Sequence, residues 1–543
     1  MKWRIFSKTF ILLTMALCVT ASIASSENSE NLSPISNIQT SSTDISHIGA
    51  EIRKQLLENV DLVKDEEAAD WQALYAFYEE RQDTPAFTDA TGYNEIGSSL
   101  IKELSNAGDW GLNSEEFSTI ALGSDPASKT DLSLSQKIDS EKSLGLMILK
   151  YARFARGGRI PDPPKQLSSY LDRSPQYVDP KKLLQDIVNS GDPAEVLRKT
   201  NPQHPQFEKL RQKYLEFKKN GVLEDRNVIL ATKGPNLQPG QTHPDIAIVR
   251  NQLNASPKKE AVDTPSLDTA FYDNGLVEKV KKFQGERGLK ADGILNSRTR
   301  QALNTIEKPD LQRLLANMEM WRWMPDQLGD IYVWVNIPEF LVRVVKNGTI
   351  IHEERIISGT LQNQTPIFSD TMETIYFNPR WTVPESIKIL ELYPSLVRSK
   401  GKRTQGLQLL RNGKPVDPSK IDWKLTDIRK FDIYQPSGAS NALGLIKFAF
   451  PNKHSVYLHD TPMKNLFNAD MRAFSHGCMR VRNPMKLAEI LISEDKGWSS
   501  EQVQALQKSK SDEIPVKLEK KIPVHITYFT ALVGEDETLK VSK

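Results

Sequence analysis

Little in this 543-residue chain is in excess. It has 2 cysteines, Cys18 and Cys478, so no disulfide framework organises it. Lys+Arg 71 against Asp+Glu 69 leaves a formal charge of +2, and residues 1–24 contribute Lys2, Arg4 and Lys8 with no acid, so the remainder is close to neutral. That balance argues against a basic face built for nucleic acid. Hydrophobic residues make up 38% and charged residues 26%, which excludes an integral membrane protein and a chain disordered throughout. A leading apolar run, Phe10 to Val19, follows those three basic residues and precedes Ser22-Ile23-Ala24, the pattern of a secretory signal cleaved after Ala24. It is short for a membrane span, although an uncleaved signal would leave an anchor. Once the signal is removed, Cys478 is the only cysteine, and it is either packed and inert or kept for chemistry.

What is present divides the chain. Residues 25–48, rich in Ser, Asn and Thr, read as a flexible linker. From 49 to 237 the apolar residues recur at helical steps, as in Trp71, Leu74, Tyr75 and Phe77, with Pro161 to Pro164 as a joint. This is a helical scaffold without identifiable chemistry. Residues 240–305 read as three short helices around a small core, carrying Ile246, Val249 and Leu253, then Leu276, Val280 and Phe283, then Thr299 and Leu303. A linking helix follows within 306–328. From 329 to 543 the pattern is mostly β: Ile331, Val333 and Val335 alternate with polar or aromatic neighbours, Asn347-Gly348 marks a hairpin, and Val516 to Leu532 reads as the last strand, with Val524, Ile526 and Tyr528 on one face. An insertion at about 385–430 reads as a helical, mobile flap. The fold class is therefore multi-domain α+β.

Of the 8 histidines, His454, His459 and His476 fall within 451–480, beside Cys478. An imidazolium within hydrogen-bond reach lowers a thiol pKa by several units from ~8.5 and makes it a nucleophile. Either His476, two residues away on an extended segment, or His459, from a neighbouring strand, could be that base, and spacing does not choose. Gly477 permits close backbone approach for an oxyanion hole, Arg480 is a clamp for a substrate carboxylate, and Tyr457 and Ser475 stand beside them. Tyr457 on its own reads as core. Zinc held by His459, Asp460, His476 and Cys478 is the alternative, but the spacing fits no common motif.

The run Tyr457 to Asp460, then Ser475-His476-Gly477-Cys478 with Arg480 and Val481, resembles the signature of L,D-transpeptidases with the YkuD-type catalytic domain. Upstream, Thr365-Pro366, Asn378-Pro379-Arg380-Trp381 and Asn441-Ala442-Leu443-Gly444 look like that domain too. Residues 240–305 resemble a peptidoglycan-binding module, through Phe283-Gln284-Gly285, the turn Gly288 to Gly293, and Thr299 to Leu303. The whole looks like the large periplasmic members from proteobacteria. The resemblance implies Cys478 as nucleophile, His459 as general base, His476 lining the site, and no cofactor. It also implies a thioester on a tetrapeptide stem with release of D-alanine, a 3→3 cross-link as product, and carbapenem attack at Cys478. Glycan-strand synthases and D,D-carboxypeptidases are the partners it suggests. A lipoprotein lysine, a free D-amino acid or water are the other acceptors, and an inert peptidoglycan-binding protein is the rival reading.

Overall fold

The computed structural model describes residues 46–59, 63, 65–89, 92–118, 133–219, 230–253, 255, 269–304, 311–404, 406–509 and 512–542. The expected signal, 1–24, and the expected linker up to residue 45 lie outside the described residues. Residues 46–48 belong to a helix instead, Ser46–Glu58, because Ile48, Ile52 and Leu56 recur every four residues and are all buried. They pack on the helices Asp65–Glu80 and Leu134–Gly157. Ser133 and Gln136 form a capping box that starts the latter helix, whose Leu144, Ile148, Tyr151 and Ala155 form its buried stripe.

Three helices, Pro244–Gln252, Asn274–Glu286 and Ser297–Leu303, form a separate small core. Leu230 and Leu237 belong to that core, and Leu237 bridges to Leu295. The scaffold therefore does not run to residue 237, since the apolar side chains of 230–237 find their burial in the three-helix module.

The C-terminal part is a sheet that closes on itself. Its strands are β1 (Ile331–Asn336), β2 (Leu341–Lys346), β3 (Thr349–Gly359), β4 (Ser369–Phe377), β5 (Ile446–Ala449), β6 (Leu458–His459), β7 (Ala473–Ser475), β8 (Met479–Val481) and β9 (Ile514–Thr527). They pair in the order β7-β3-β8-β6-β5-β4-β9-β1-β2, and a further β2–β3 pairing closes the sheet, with β7 on the outside of β3. Full closure leaves few free edges. Inside it lie Val333, Val344, Ile375, Phe448 and Leu458, covered by Leu487 and Leu491 of the helix Pro484–Lys496. The last long strand ends at Thr527, and Tyr528, expected on its face, is 45% exposed beyond it.

The insertion at 385–430 is helical in its first part, from Glu385 to Ser399, and its second part adds strands to a small sheet completed by residues that flank it. The strands Trp381–Thr382, Gln408–Arg411, Lys414–Pro415 and Asp432–Gln435 form a four-stranded sheet against the helix Tyr393–Ser399. Leu396, Leu409, Trp423, Phe431 and Ile433 fill a core of its own. The helical periodicity at Leu392 and Leu396 is real, and in the Lys- and Gly-rich remainder Gln408–Arg411 forms a hairpin with Lys414–Pro415 and also pairs with the more distant Asp432–Gln435.

The helical part and the closed sheet share a core. Trp321, from the helix Leu311–Arg322, stacks on Phe529 with centroids 4.5 Å apart and on His204 at 4.2 Å. Buried arginines knit the junction: Arg156 donates to the carbonyls of Arg322 (2.6 Å) and Met324 (3.0 Å), and Arg322 to the carbonyl of Trp110 (2.7 Å) and the side-chain oxygen of Asn201 (3.0 Å). Burial lowers the Arg322 guanidinium to about 10.

Candidate active site

Two short parallel strands carry the reactive groups. β6 and β8 align Leu458 with Met479 and His459 with Arg480. Leu458 and Met479 are buried in the apolar core, so alternation leaves Tyr457, His459, Cys478 and Arg480 on the opposite side. Antiparallel β5 places Lys447 directly across from His459. Both candidate bases are near the thiol along the chain, but only His459 stands on the neighbouring strand with its ring buried.

His459 is held in one orientation. Its Nδ1 lies 2.5 Å from the Asp460 carbonyl, an acceptor only, so Nδ1 carries the proton and Nε2 offers a lone pair. Asp460 is itself fixed, accepting from Leu445 N (2.9 Å) and Lys464 Nζ (2.6 Å). Gly444 adopts φ +59 against the Asp460 carboxylate, an approach that a Cβ would block. Burial, and then the Arg480 charge, lower the imidazole to about 3, so His459 is neutral.

Cys478 is half-buried, and burial pushes its thiol up. Hydrogen bonds from Tyr457 and the Lys447 and Arg480 charges oppose that rise without cancelling it. The sequence-based expectation of a thiolate beside an imidazolium is therefore replaced by a neutral thiol beside a neutral imidazole. Desolvation penalises both charged forms. Tyr457 is a site residue rather than plain core: its ring meets that of His459 edge-on at 5.6 Å, and burial, followed by the neighbouring Cys478, raises its phenol.

The turn before Cys478 is closed by Ser475, whose Oγ donates to the Cys478 carbonyl (2.5 Å) and accepts from Gly477 N (3.1 Å). That N–H is engaged, so Gly477 serves the turn here and not an open oxyanion hole. With φ +113 it occupies a backbone region that suits glycine. Thr365 Oγ1 donates to the Gly477 carbonyl (2.8 Å). The Nε2 of His476 meets Glu391 of the insertion at 2.7 Å, both side chains being about half exposed. With His476 turned to Glu391, the zinc set does not converge. Among the described residues, no group of three or more His, Cys, Asp or Glu is placed to hold a metal.

Two cations remain. Among the described residues the buried Nε of Arg480 has no hydrogen-bond partner, while its Nη1 lies 3.8 Å from Met463 Sδ. Among the described residues Lys447 makes no ion pair; its Nζ sits between the rings of Tyr457 (4.6 Å) and Tyr376 (5.4 Å), and burial lowers it. Sequence reasoning gave Lys447 no role of its own, although a lysine between Ile446 and Phe448 in a strand was the available signal.

The chain is similar to known proteins in three stretches. Residues 330–496 match the L,D-transpeptidase catalytic domain, YkuD; residues 72–213 match a scaffold domain; residues 242–303 match a model described as "Putative peptidoglycan binding domain". A Haemophilus influenzae protein described as "Putative L,D-transpeptidase" is 32% identical over 269 residues, 49% of this chain and 54% of the relative, so the chain spans about half the length of that relative. Among solved structures, an L,D-transpeptidase from Mycobacterium smegmatis is 11% identical over 36% of this chain and 58% of its own, with TM-score 0.17. One from Xylanimonas cellulosilytica is 14% identical over 54% and 98%, with TM-score 0.14.

Proposed function

Starting from a chain that carries an L,D-transpeptidase catalytic domain and a peptidoglycan-binding domain, we propose that it is a cysteine L,D-transpeptidase acting on peptidoglycan tetrapeptide stems outside the cytoplasm, with Cys478 as nucleophile. The observation that carries the reading is the neutral pair: a thiol on the residue before β8, and on β6 an imidazole whose Nδ1 is committed to Asp460 and whose Nε2 is free to accept a proton. Sγ attacks the carbonyl of the third stem residue as its proton passes to His459 Nε2. The tetrahedral intermediate collapses to a thioester, and the leaving amine of D-alanine takes that proton. An amine of a second stem then attacks the thioester, His459 accepts its proton, and Sγ leaves and is reprotonated. A 3→3 cross-link results. Charge appears only while bonds change, which suits a site that penalises both the thiolate and the imidazolium. The unpartnered Arg480 Nε, with Lys447 nearby, supports recognition of a stem carboxylate, because a buried donor without an acceptor is costly until a ligand supplies one. Among the described residues no helix is long and apolar enough to cross a membrane.

Intact-protein mass spectrometry with a disaccharide-tetrapeptide tests this. Wild type should gain an adduct lacking D-alanine and then release a 3→3 dimer, and Cys478→Ala should gain none. An adduct that yields only tripeptide would make the enzyme an L,D-carboxypeptidase. Transfer to a D-amino acid or a lysine side chain would make it an exchange or protein-attachment enzyme. No adduct on folded wild type would sink the reading.

A further inference from the structure

Four consecutive residues of the helical part, 170–173, lie along the closed sheet as an added strand-like segment. Ile367 N donates to the Tyr170 carbonyl (2.7 Å) and Asp172 N to the Ile367 carbonyl (2.9 Å), in a parallel bridge between Leu171 and Ile367. Arg173 is 7% exposed and donates to Ser369 Oγ (2.9 Å) and to the carbonyls of Phe368 (3.2 Å) and Ile526 (3.0 Å). The segment so gripped begins two residues after Thr365, the residue that holds the Gly477 carbonyl.

Asp172 reaches the other wall of the same turn. Its carboxylate accepts from Lys453 Nζ (2.6 Å) and His454 Nε2 (2.7 Å), and those hydrogen bonds outweigh desolvation to keep it below the usual carboxylate range. The His454 ring also packs on Phe368, with centroids 5.3 Å apart. The next residue, Ser455, adopts φ +55, and its carbonyl lies 4.0 Å from Cys478 Sγ. Two residues further, Tyr457 supplies the backbone hydrogen bond that favours the thiolate. Within the loop 452–456, Asn452 bonds to Phe450 O, His454 N and both backbone groups of Val456, its carbonyl accepts from Ser455 N, and the Val456 side chain is buried in the apolar core. The left-handed Ser455, between Asn452 and the buried Val456, is further fixed by the outside anchor at His454.

We infer that Asp172, from the helical part of the chain, is a positioning residue for Cys478, acting through His454 and the Ser455 turn. The inference rests on the reading of Cys478 as the nucleophile. It makes the scaffold part of the catalytic apparatus: the wall that faces the sulfur is anchored by a carboxylate some three hundred residues upstream, and the catalytic domain alone lacks that anchor.

The test measures, on the full chain at one pH, the second-order rate of Cys478 alkylation by iodoacetamide, together with kcat and KM for stem consumption. Asp172→Ala should lower alkylation and kcat together by about fivefold, with KM unchanged within about twofold. His454→Phe, which keeps a ring on Phe368 but loses the hydrogen bond, should show the same loss, and the double variant no more than either single. Alkylation and kcat within about twofold of wild type in folded Asp172→Ala, or losses that multiply in the double variant, would overturn the inference. If Asp172→Ala fails to fold, His454→Phe alone decides by the same two readouts. Because alkylation needs no stem, a wild type that alkylates but forms no thioester on stems would count against the transpeptidase reading and leave this one standing.

Discussion

The insertion between Trp381 and Gln435 and the segment 170–173 both reach the nucleophile's turn, and they do so in opposite ways. The insertion has its own sheet and its own core, yet it touches the turn through Glu391 and His476, two side chains about half in water. The segment has no core at all, but its ties are backbone hydrogen bonds, a buried guanidinium and a carboxylate with two donors. Hold over a reactive group follows from which atoms are tied and how dry the ties are, not from the amount of chain folded nearby.

The largest expected effect sets the scale for both regions. His459→Gln keeps the shape but loses the base, and thioester formation should fall by about 10³-fold, read by adduct growth in mass spectrometry. A loss under about tenfold would mean that neither region is holding a catalytic pair. Next comes Arg173→Ala, which strips the buried carbonyls of Phe368 and Ile526 of their donor; urea unfolding should lose about 3 kcal/mol. A loss under about 0.5 kcal/mol would erase the contrast with the insertion.

Acid should separate the regions further. Burial holds His204 and His525 at about 4 and His459 at about 3, while an unfolded histidine titrates near ~6.5. Below that value the unfolded chain takes up protons that the folded one refuses, so stability falls as pH drops from ~6.5 towards ~4. The insertion contains no histidine. Hydrogen exchange, corrected for intrinsic rates, should lose protection at pH 5 around His204, His525 and Leu171 before it does within 381–435; the reverse order would contradict the assignment. The smallest effect belongs to Glu391→Gln, which should cost under about 1 kcal/mol and leave alkylation of Cys478 within about twofold of wild type. A larger fall would show the insertion to be an anchor equal to Asp172.

The sequence exposes what is local. Ser475-His476-Gly477-Cys478 and the strand ending at His459 are legible because turn chemistry and alternation act over a few residues, and the three module helices are legible because their caps and stripes are. Spacing does not separate His459 from His476; the resemblance favours His459, and the β6–β8 register puts it on the strand beside the one that follows Cys478. The sheet of the insertion escaped because its pairings join Trp381 to Gln435 and Leu409 to Ile433, across a segment whose composition reads as loop. Asp172 had no signal at all, lying 282 residues from His454 in an unremarkable stretch. The protonation states were misread for a related reason: whether a thiol and an imidazole ionise depends on the water around them, and sequence proximity says nothing about that.

The neutral resting state of Cys478 has a bearing on how long the protein stays usable. Peroxides and disulfides react with the thiolate and scarcely with the thiol, so a sulfur whose proton is kept by burial oxidises slowly. With Cys18 removed along with a signal, there would be no second cysteine in the chain to resolve a sulfenic acid. If Cys478 is the nucleophile proposed above and works in oxidising surroundings, holding it as S–H until substrate arrives would give it a working lifetime that a preformed thiolate would not have.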